Sequence, residues 1–575
     1  MTGVVPGEFP FQNTDIQRLD VFRIATPKMW LYKFLFCLYL VCNSIHYAAV
    51  SGEPTPPDAD YYIGAVVEFP ARTVNAAAST QQRLRQFGVL LESSAIRPDI
   101  VVFPEDVLND HDTPIVVPAP SDDVITCNAD DAHYNYIISR MSCYARSLGL
   151  YVLINVVEVH NCTQSQNVSD LVANCAIYNA NVVFDRHGVV ISRYRKYNLI
   201  GSEWLYFNYT SQPEEEAIFR TDFNVTFGHF TRMDLLYARP AQTLVQRGIT
   251  DFLHPSKWQS ELPFLTAVQL HQSWAFSNNV NLLVAGTNDP SRGRSGTGIY
   301  AGRYGVLIAT MTSVEKQSKL HLSVIPKHNV SSEKVLKIFK PRQRNLKAQL
   351  NNNNQSVLER FTGVVVTRDN NIDLYVTQPL VDATQTSGPL QQQLCHNDLC
   401  CNFHIEMHAN TLATASTVSY YYRLAAFHDM GTFLNTEPDE LAVCAIFACT
   451  GDHLYTCGRI YEEGVQVVPR YIFDIIRISG NFTRQRPSLL APTSVDNLLM
   501  PLPVDEFEWQ LQAHSNFTLA NLTLLQPRSD LLTFGIYGNY FLNDTIYDHH
   551  HQNDATTLSS TLLLILILLH LQVNL

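Results

Sequence analysis

The segment FGHFTRMDLLY, residues 227–237, is an apolar run with one fixed cation, Arg232, at its centre. Its hydrophobic flanks predict the end of a buried strand, and a guanidinium is almost never buried without a partner. What the fold requires at position 232 decides how the surrounding chain is read.

Outward from this segment the hydrophobic pattern alternates between strand and helix. Upstream, YYIGAVVEF (61–69), DIVVFPED (99–106) and YVLINVVEV (151–159) predict buried strands, and residues 76–93 and 133–149 predict helices. Residues 180–200 predict a hairpin turned at 185–188. Downstream come a helix from about Pro240, a strand at 249–253, a helix over 264–277 and the buried strand VNLLVAG at 280–286. This order predicts a layered α/β domain over residues 60–330. Residues 331–358 are basic and then asparagine-rich, and predict a linker. Residues 359–545 carry β-branched and aromatic runs such as TGVVVTRD and NIDLYVTQ, and predict a second, mostly-β domain.

The chain has 575 residues, 46% hydrophobic and 16% charged, enough for two or three domains with buried cores. A net charge of -13 argues against nucleic acid as a partner. Residues 29–52 have the basic start, apolar run and small-residue end of a secretory signal, so residues 1–50 are expected to be a signal region, with Met29 a second candidate start. A membrane anchor is the alternative, but the run is short for a span. At the other end, TLLLILILLHLQVNL follows the small polar stretch NDATTLSS. That matches a stalk and GPI-attachment signal over residues 546–575, with Asn553, or else Asp554, as the attachment site; a single membrane span is the alternative. The expected location is the extracellular face of the cell membrane, with the anchor as membrane partner.

Ten Asn-X-Ser/Thr sequons suit a secreted chain: Asn161, Asn167, Asn208, Asn224, Asn329, Asn354, Asn481, Asn516, Asn521 and Asn543. Cys37 and Cys42 fall in the signal region. The other cysteines form an early group (Cys127, Cys143, Cys162, Cys175) and a late one (Cys395, Cys400, Cys401, Cys444, Cys449, Cys457). Both are even, which predicts two and three disulfides. Secretion makes a metal site at Cys395, His396, Cys400 and Cys401 a poor reading, and Asp548–His551 reads as solvated stalk. Gly296, Gly298 and Gly302 lack the βαβ frame of a dinucleotide loop. Neither a metal nor another cofactor is expected.

Chemistry in layered α/β folds concentrates at strand C-termini and the turns after them. Three such positions carry charge: Glu105 in VVFPED, Lys196 in RYRKYNLI and Arg232 in FGHFTRMD. Together with PSKW (255–258), LPFLTAVQLHQSWA (262–275) and SGTGIYAG (295–302), these segments resemble, in order, the vanin and biotinidase branch of the carbon-nitrogen hydrolase (nitrilase) superfamily. The resemblance covers most of the chain from about residue 61. It implies an α-β-β-α sandwich followed by a β-rich domain, and cleavage of linear amides such as pantetheine or biocytin by a Glu-Lys-Cys triad. Glu105 matches the general base and Lys196 the lysine that stabilises the oxyanion; a nearby cation and a positioned carboxylate are what a thiol needs in order to attack.

The resemblance places the nucleophilic cysteine at position 232, where this chain has arginine, and no cysteine lies anywhere in 176–394. Arginine stays protonated and cannot attack a carbonyl. Adjacent Thr231 should point to the opposite face of a strand. Arg232 is expected either to pair with Glu105 or to swing to the pocket mouth, because Lys196 at about 4 Å would repel it by roughly 4 kcal/mol at an effective dielectric of about 20. Lys257 in PSKW replaces a small or apolar residue of the family and would add another cation if it faced the pocket. The expected function is a GPI-anchored, vanin-like pseudoenzyme that binds a small amide ligand or a protein partner. The rivals are an active amidase of pantetheinase or biotinidase type and a purely structural surface glycoprotein.

Overall fold

Successive strand residues point to opposite faces, so a continuous apolar run needs both faces covered, and the first domain covers both. The computed structural model describes residues 53–541 except 73–79, 95, 128–133, 161–174, 211–216, 312–317, 329, 332, 336–363, 381–387, 415, 434–436 and 463. In chain order the first domain's strands are β1 (Tyr61–Pro70), β2 (Ile100–Val102), β3 (Tyr151–His160), β4 (Ala176–Phe184), β5 (Val190–Arg195), β6 (Ile218–Arg220), β7 (Thr226–His229), β8 (Asp251–Ser256), β9 (Glu261–Leu262), β10 (Asn281–Asn288), β11 (Thr297–Ala301), β12 (Val306–Thr310) and β13 (Lys319–Pro326). Among the described residues three helices of three turns or more accompany them: α1 (Thr80–Glu92), α2 (Tyr136–Leu148) and α3 (Ala267–Asn278).

All of these strands except β9 belong to one twelve-stranded sheet. It folds over where the last residues of β1 meet those of β10, Phe69 opposite Thr287 and Pro70 opposite Asn288. One leaf has the order β13-β1-β2-β3-β4-β5, the other β12-β11-β10-β8-β7-β6. Between the leaves Tyr62, Val66, Ile100, Val102 and Leu153 meet Phe219, Phe227, Leu253, Leu283 and Ile299. The alternate residues of the first leaf, Val67, Phe69, Val101 and Val152, pack on Leu84 and Phe87 of α1 and Ile138 and Met141 of α2. On the far side Phe252, Leu282, Val284 and Tyr300 pack against Val268, Trp274 and Ala275 of α3. These four layers are the α-β-β-α sandwich that the resemblance implies.

The second domain is a sandwich of two five-stranded sheets. Its strands continue the order as β14 (Thr367–Arg368), β15 (Val376–Pro379), β16 (Leu390–His396), β17 (Leu399–Ala409), β18 (Tyr421–Phe433), β19 (Glu437–Cys449), β20 (Tyr471–Thr483), β21 (Ser488–Asp496), β22 (Phe507–Ala513), β23 (Phe517–Leu524) and β24 (Leu531–Tyr540). One sheet runs β15-β18-β19-β24-β21, the other β16-β17-β20-β23-β22. The Cys401–Cys444 disulfide joins β17 to β19 and so ties one sheet to the other. Helix α3 carries the contact between domains: Gln269 donates to Thr493 Oγ1 at 2.8 Å and Gln272 to the Leu502 carbonyl at 2.8 Å.

Two local expectations need correction. The helix predicted from Pro240 shrinks to an irregular turn, Ala238–Gln242, and a single turn of α-helix, Thr243–Gln246. The run TGVVVTRD does not form a strand of the second domain's sheets. Its β14 residues pair in parallel with β9, and Val365 and Thr367 donate to the carbonyls of Pro290 and Ser260. The β-branched residues thus form a strap across the first domain. The expected linker, the signal region and the stalk with Asn553, Asp554 and Asp548–His551 lie largely or wholly outside the described residues.

Candidate active site

Strands β1, β2 and β3 are parallel; β5 runs with β3, since each is antiparallel to β4, and β7, β8 and β10 run parallel to β1. The loops after β2, β5, β7 and β8 therefore emerge at one end of the sandwich, carrying Glu105, Lys196, Arg232 and Lys257 respectively. That end is where layered α/β folds hold ligands.

Glu105 is 1% exposed and held from both sides. Its carbonyl accepts from Thr287 Oγ1 at 2.8 Å, and its Oε1 accepts from Asn179 Nδ2 at 3.0 Å and Lys196 Nζ at 3.2 Å. Lys196, also 1% exposed, donates in addition to both carboxylate oxygens of Glu203 at 2.8 Å. Burial alone would push Glu105 up, but the charges of Lys196, Arg232 and Lys257 prevail and hold its carboxyl below the usual range. Burial likewise disfavours the Lys196 ammonium, yet Glu105 and Glu203 raise it overall. The base and the lysine are therefore both charged and in contact. Glu105 Oε2 is buried with no hydrogen-bond partner. It is an acceptor facing no donor, the condition of a general base without its thiol.

At the end of β7 the chain turns sharply. Arg232 opens a 3-10 turn, Arg232–Leu236, with φ +48°. A left-handed backbone at a residue with a long side chain is strained, and such strain concentrates at functional turns. Asp234 holds the turn. Its Oδ2 accepts from the Thr231 N–H at 2.9 Å and the Tyr194 hydroxyl at 2.9 Å, and its Oδ1 from the Asn198 N–H at 3.0 Å and Asn198 Nδ2 at 2.8 Å. Burial raises the Asp234 carboxyl to about 6, against the lowering effect of Lys196 and these donors. Thr231 is buried and donates to Asn181 Oδ1 at 3.0 Å.

Of its two expected positions, Arg232 does not take the pairing with Glu105. Its Nη1 lies 3.4 Å from Glu203 Oε1, and its side chain is 13% exposed. Arg232 and Lys196 thus share Glu203 Oε1. Lys257 does face the site and pairs with Asp106, beside Glu105. Glu203 was missed by sequence reasoning, although it is the only acid between Lys196 and position 214. Also missed were Asn155, Asn179 and Asn181. Asn155 Nδ2 donates to Asn179 Oδ1 at 2.6 Å and Asn181 Oδ1 at 3.0 Å, so one amide relay on β3 and β4 links the support of Glu105 to that of Thr231.

The nine described cysteines all lie in disulfides, so none offers a thiol here. Cys127–Cys143, Cys395–Cys400, Cys401–Cys444 and Cys449–Cys457 are bonded pairs, and Cys175 is bonded too. Among the sequon asparagines, Asn208, Asn224, Asn481 and Asn516 are exposed and Asn521 is half-buried. The other five, Asn161, Asn167, Asn329, Asn354 and Asn543, lie outside the described residues. No cluster of histidine, cysteine and acidic side chains suited to a metal occurs among the described residues.

The site predicts a large stability effect. Lys196→Met should destabilise the chain by about 3–5 kcal/mol, because Glu105 then remains a buried charge without its ion-pair partner and Glu203 keeps only its long pair to Arg232. Denaturant unfolding would measure this, and adding Glu105→Gln should recover part of the loss. A cost under about 1 kcal/mol would mean that the charges are solvated and not mutually dependent.

Residues 364–544 match the Vanin C-terminal domain family. Over 536 residues the chain is 34% identical to Vanin-like protein 1 of Drosophila melanogaster, covering 90% of this chain and 91% of that protein. It is 28% identical to the human protein Pantetheinase over 433 residues, 74% of this chain and 75% of that protein. Among solved structures it resembles Saccharomyces cerevisiae Nit3, a member of branch 10 of the nitrilase superfamily, with TM-score 0.36 and 13% identity, over 50% of this chain and 97% of that one. The chain belongs to the vanin-like family of carbon-nitrogen hydrolases.

Proposed function

We propose that this protein is a catalytically silent vanin-like amidohydrolase, displayed at the cell surface on a GPI anchor at Asn553 or Asp554, and acting by binding. The observation that carries this reading is Arg232 at the strained turn, with its guanidinium on Glu203 and the carboxylate oxygen of Glu105 left facing no thiol. Losing the nucleophile of a comparable triad costs on the order of 10⁶ in rate. The remaining Glu105 and Lys196 can hold a carbonyl and a proton but cannot form a covalent acyl intermediate.

The test is turnover of pantetheine and biocytin by the purified glycosylated ectodomain. Silence is expected. Turnover that Glu105→Gln abolishes would overturn the proposal in favour of an active amidase using another nucleophile. Release from intact cells by phosphatidylinositol-specific phospholipase C is expected for the anchor, and retention would instead indicate a membrane span.

A further inference from the structure

The loop after β10 adds a further cation to this end of the sandwich. Arg294 sits on a backbone locked by reciprocal hydrogen bonds with Asp289, 2.7 and 3.0 Å. Its guanidinium is partly buried, its side chain 21% exposed, and its closest ion pair is a long one, 3.7 Å to Asp289. Arg232 is in the same state, with its own long pair to Glu203 at 3.4 Å. Each arginine also has a buried Nε–H with no acceptor. Burial and then the charge of Arg232 push the Arg294 guanidinium below its ordinary value, so the two cations act on each other. Lys257, on Asp106, adds a further positive charge nearby.

We propose that the mouth of the site, between Arg232 and Arg294, binds a small monocarboxylate. This rests on the pseudoenzyme reading, since it assigns Arg232 to ligand binding. Two guanidiniums that repel one another and hold unused donors are stabilised by an anion between them, and a planar carboxylate suits their fork geometry. Both side chains reach solvent, so the ligand enters from outside and need not displace Lys196. The four carboxylates around the mouth, Glu105, Glu203, Asp106 and Asp289, tolerate one added negative charge better than two, which disfavours a phosphate dianion. A working amidase must accept a neutral amide at this end. With Arg232 the preference turns to the acid, so the ligand class is the carboxylate product of amide hydrolysis rather than its substrate.

The experiment is calorimetric titration of the full ectodomain with butanoate, butanamide and methyl phosphate, alongside a pantetheine turnover assay on the same preparation. Butanoate is expected to bind and raise the melting temperature, with the isosteric butanamide and methyl phosphate at least about tenfold weaker. Arg294→Gln, at the mouth and away from the strained turn, should weaken butanoate binding by about tenfold or more, as loss of a charge-assisted contact does. Arg232→Leu should do the same where it folds. Equal binding of acid and amide, no binding, tighter binding of methyl phosphate, or an unchanged affinity in Arg294→Gln each overturns the proposal. Failure of binding in a preparation silent toward pantetheine sinks this inference alone. Turnover by the wild type sinks the pseudoenzyme reading, and this inference with it.

Discussion

Arg232→Cys should turn the silent ectodomain into an amidase, raising pantetheine turnover by at least about 10³ over the wild type. The ceiling is set by what a missing nucleophile costs, on the order of 10⁶. The expected value is lower because the pocket keeps the Lys257 charge beside Glu105, and because removing a long side chain leaves space for water. Three features favour recovery. The +48° backbone that presents residue 232 is built by Asp234, not by the arginine side chain. Glu105 and Lys196 remain in contact at 3.2 Å. Glu105 Oε2 has no partner and would accept the thiol proton of the new cysteine, while Lys196 favours the thiolate. Adding Glu105→Gln to Arg232→Cys should abolish the gain without unfolding the chain. A folded Arg232→Cys variant that stays at wild-type level would refute the claim that the base and the lysine are still positioned for acyl transfer.

How much of this was legible in the sequence differs by residue. The strands β1, β2, β3 and β10 are continuous apolar runs that only a sheet covered on both faces explains, and they sit where the pattern puts them. Glu105, Lys196 and Arg232 were found because each ends such a strand within an ordered set of motifs. Glu203 was not, because a lone acid in GSEWLYF reads as a solvated turn residue; only the lysine and arginine folded onto it give it meaning. Asn155, Asn179 and Asn181 look like ordinary polar positions of half-buried strands. The register that sets Asn155 opposite Asn181 across β3 and β4 is a long-range fact. The strap around β14 misled for a related reason. Valine and threonine favour extended backbone, but which edge an extended segment joins is decided by packing, not propensity.

The buried titratable groups predict that acid acts oppositely on the two domains. In the first, burial pushes His229 and His254 down to about 3, with the Lys196 charge adding to the effect at His254, and burial holds His271 well below its ordinary value. A histidine kept neutral in the fold takes its proton only when the chain unfolds, so its contribution is lost as pH falls below the unfolded value of about 6.5. By pH 5, His229 and His254 together should cost about 4 kcal/mol, with His271 adding in the same direction. Asp234, raised to about 6 by burial, returns only about 1 kcal/mol over that range. In the second domain burial raises Asp496 to about 7, helped by Asp530, and at the end of the strap where the two domains meet burial raises Asp369 to about 7. Each is strained as a buried anion at neutral pH and protonates readily in the fold, so each should contribute about 2 kcal/mol more at pH 5 than at pH 7. Hydrogen exchange at the two pH values, corrected for intrinsic rates, should show protection falling in β8, β10 and α3 and rising in β18, β19 and β24. His229→Gln should remove about 2 kcal/mol of the first domain's acid sensitivity, and Asp496→Asn should flatten the second domain's gain. Protection that changes by the same amount in both domains would mean that they unfold as one unit or that these groups titrate together with solvent. Opposite changes would place the acid-sensitive element in the layer behind the candidate active site, where His254 and His271 lie between sheet and helix.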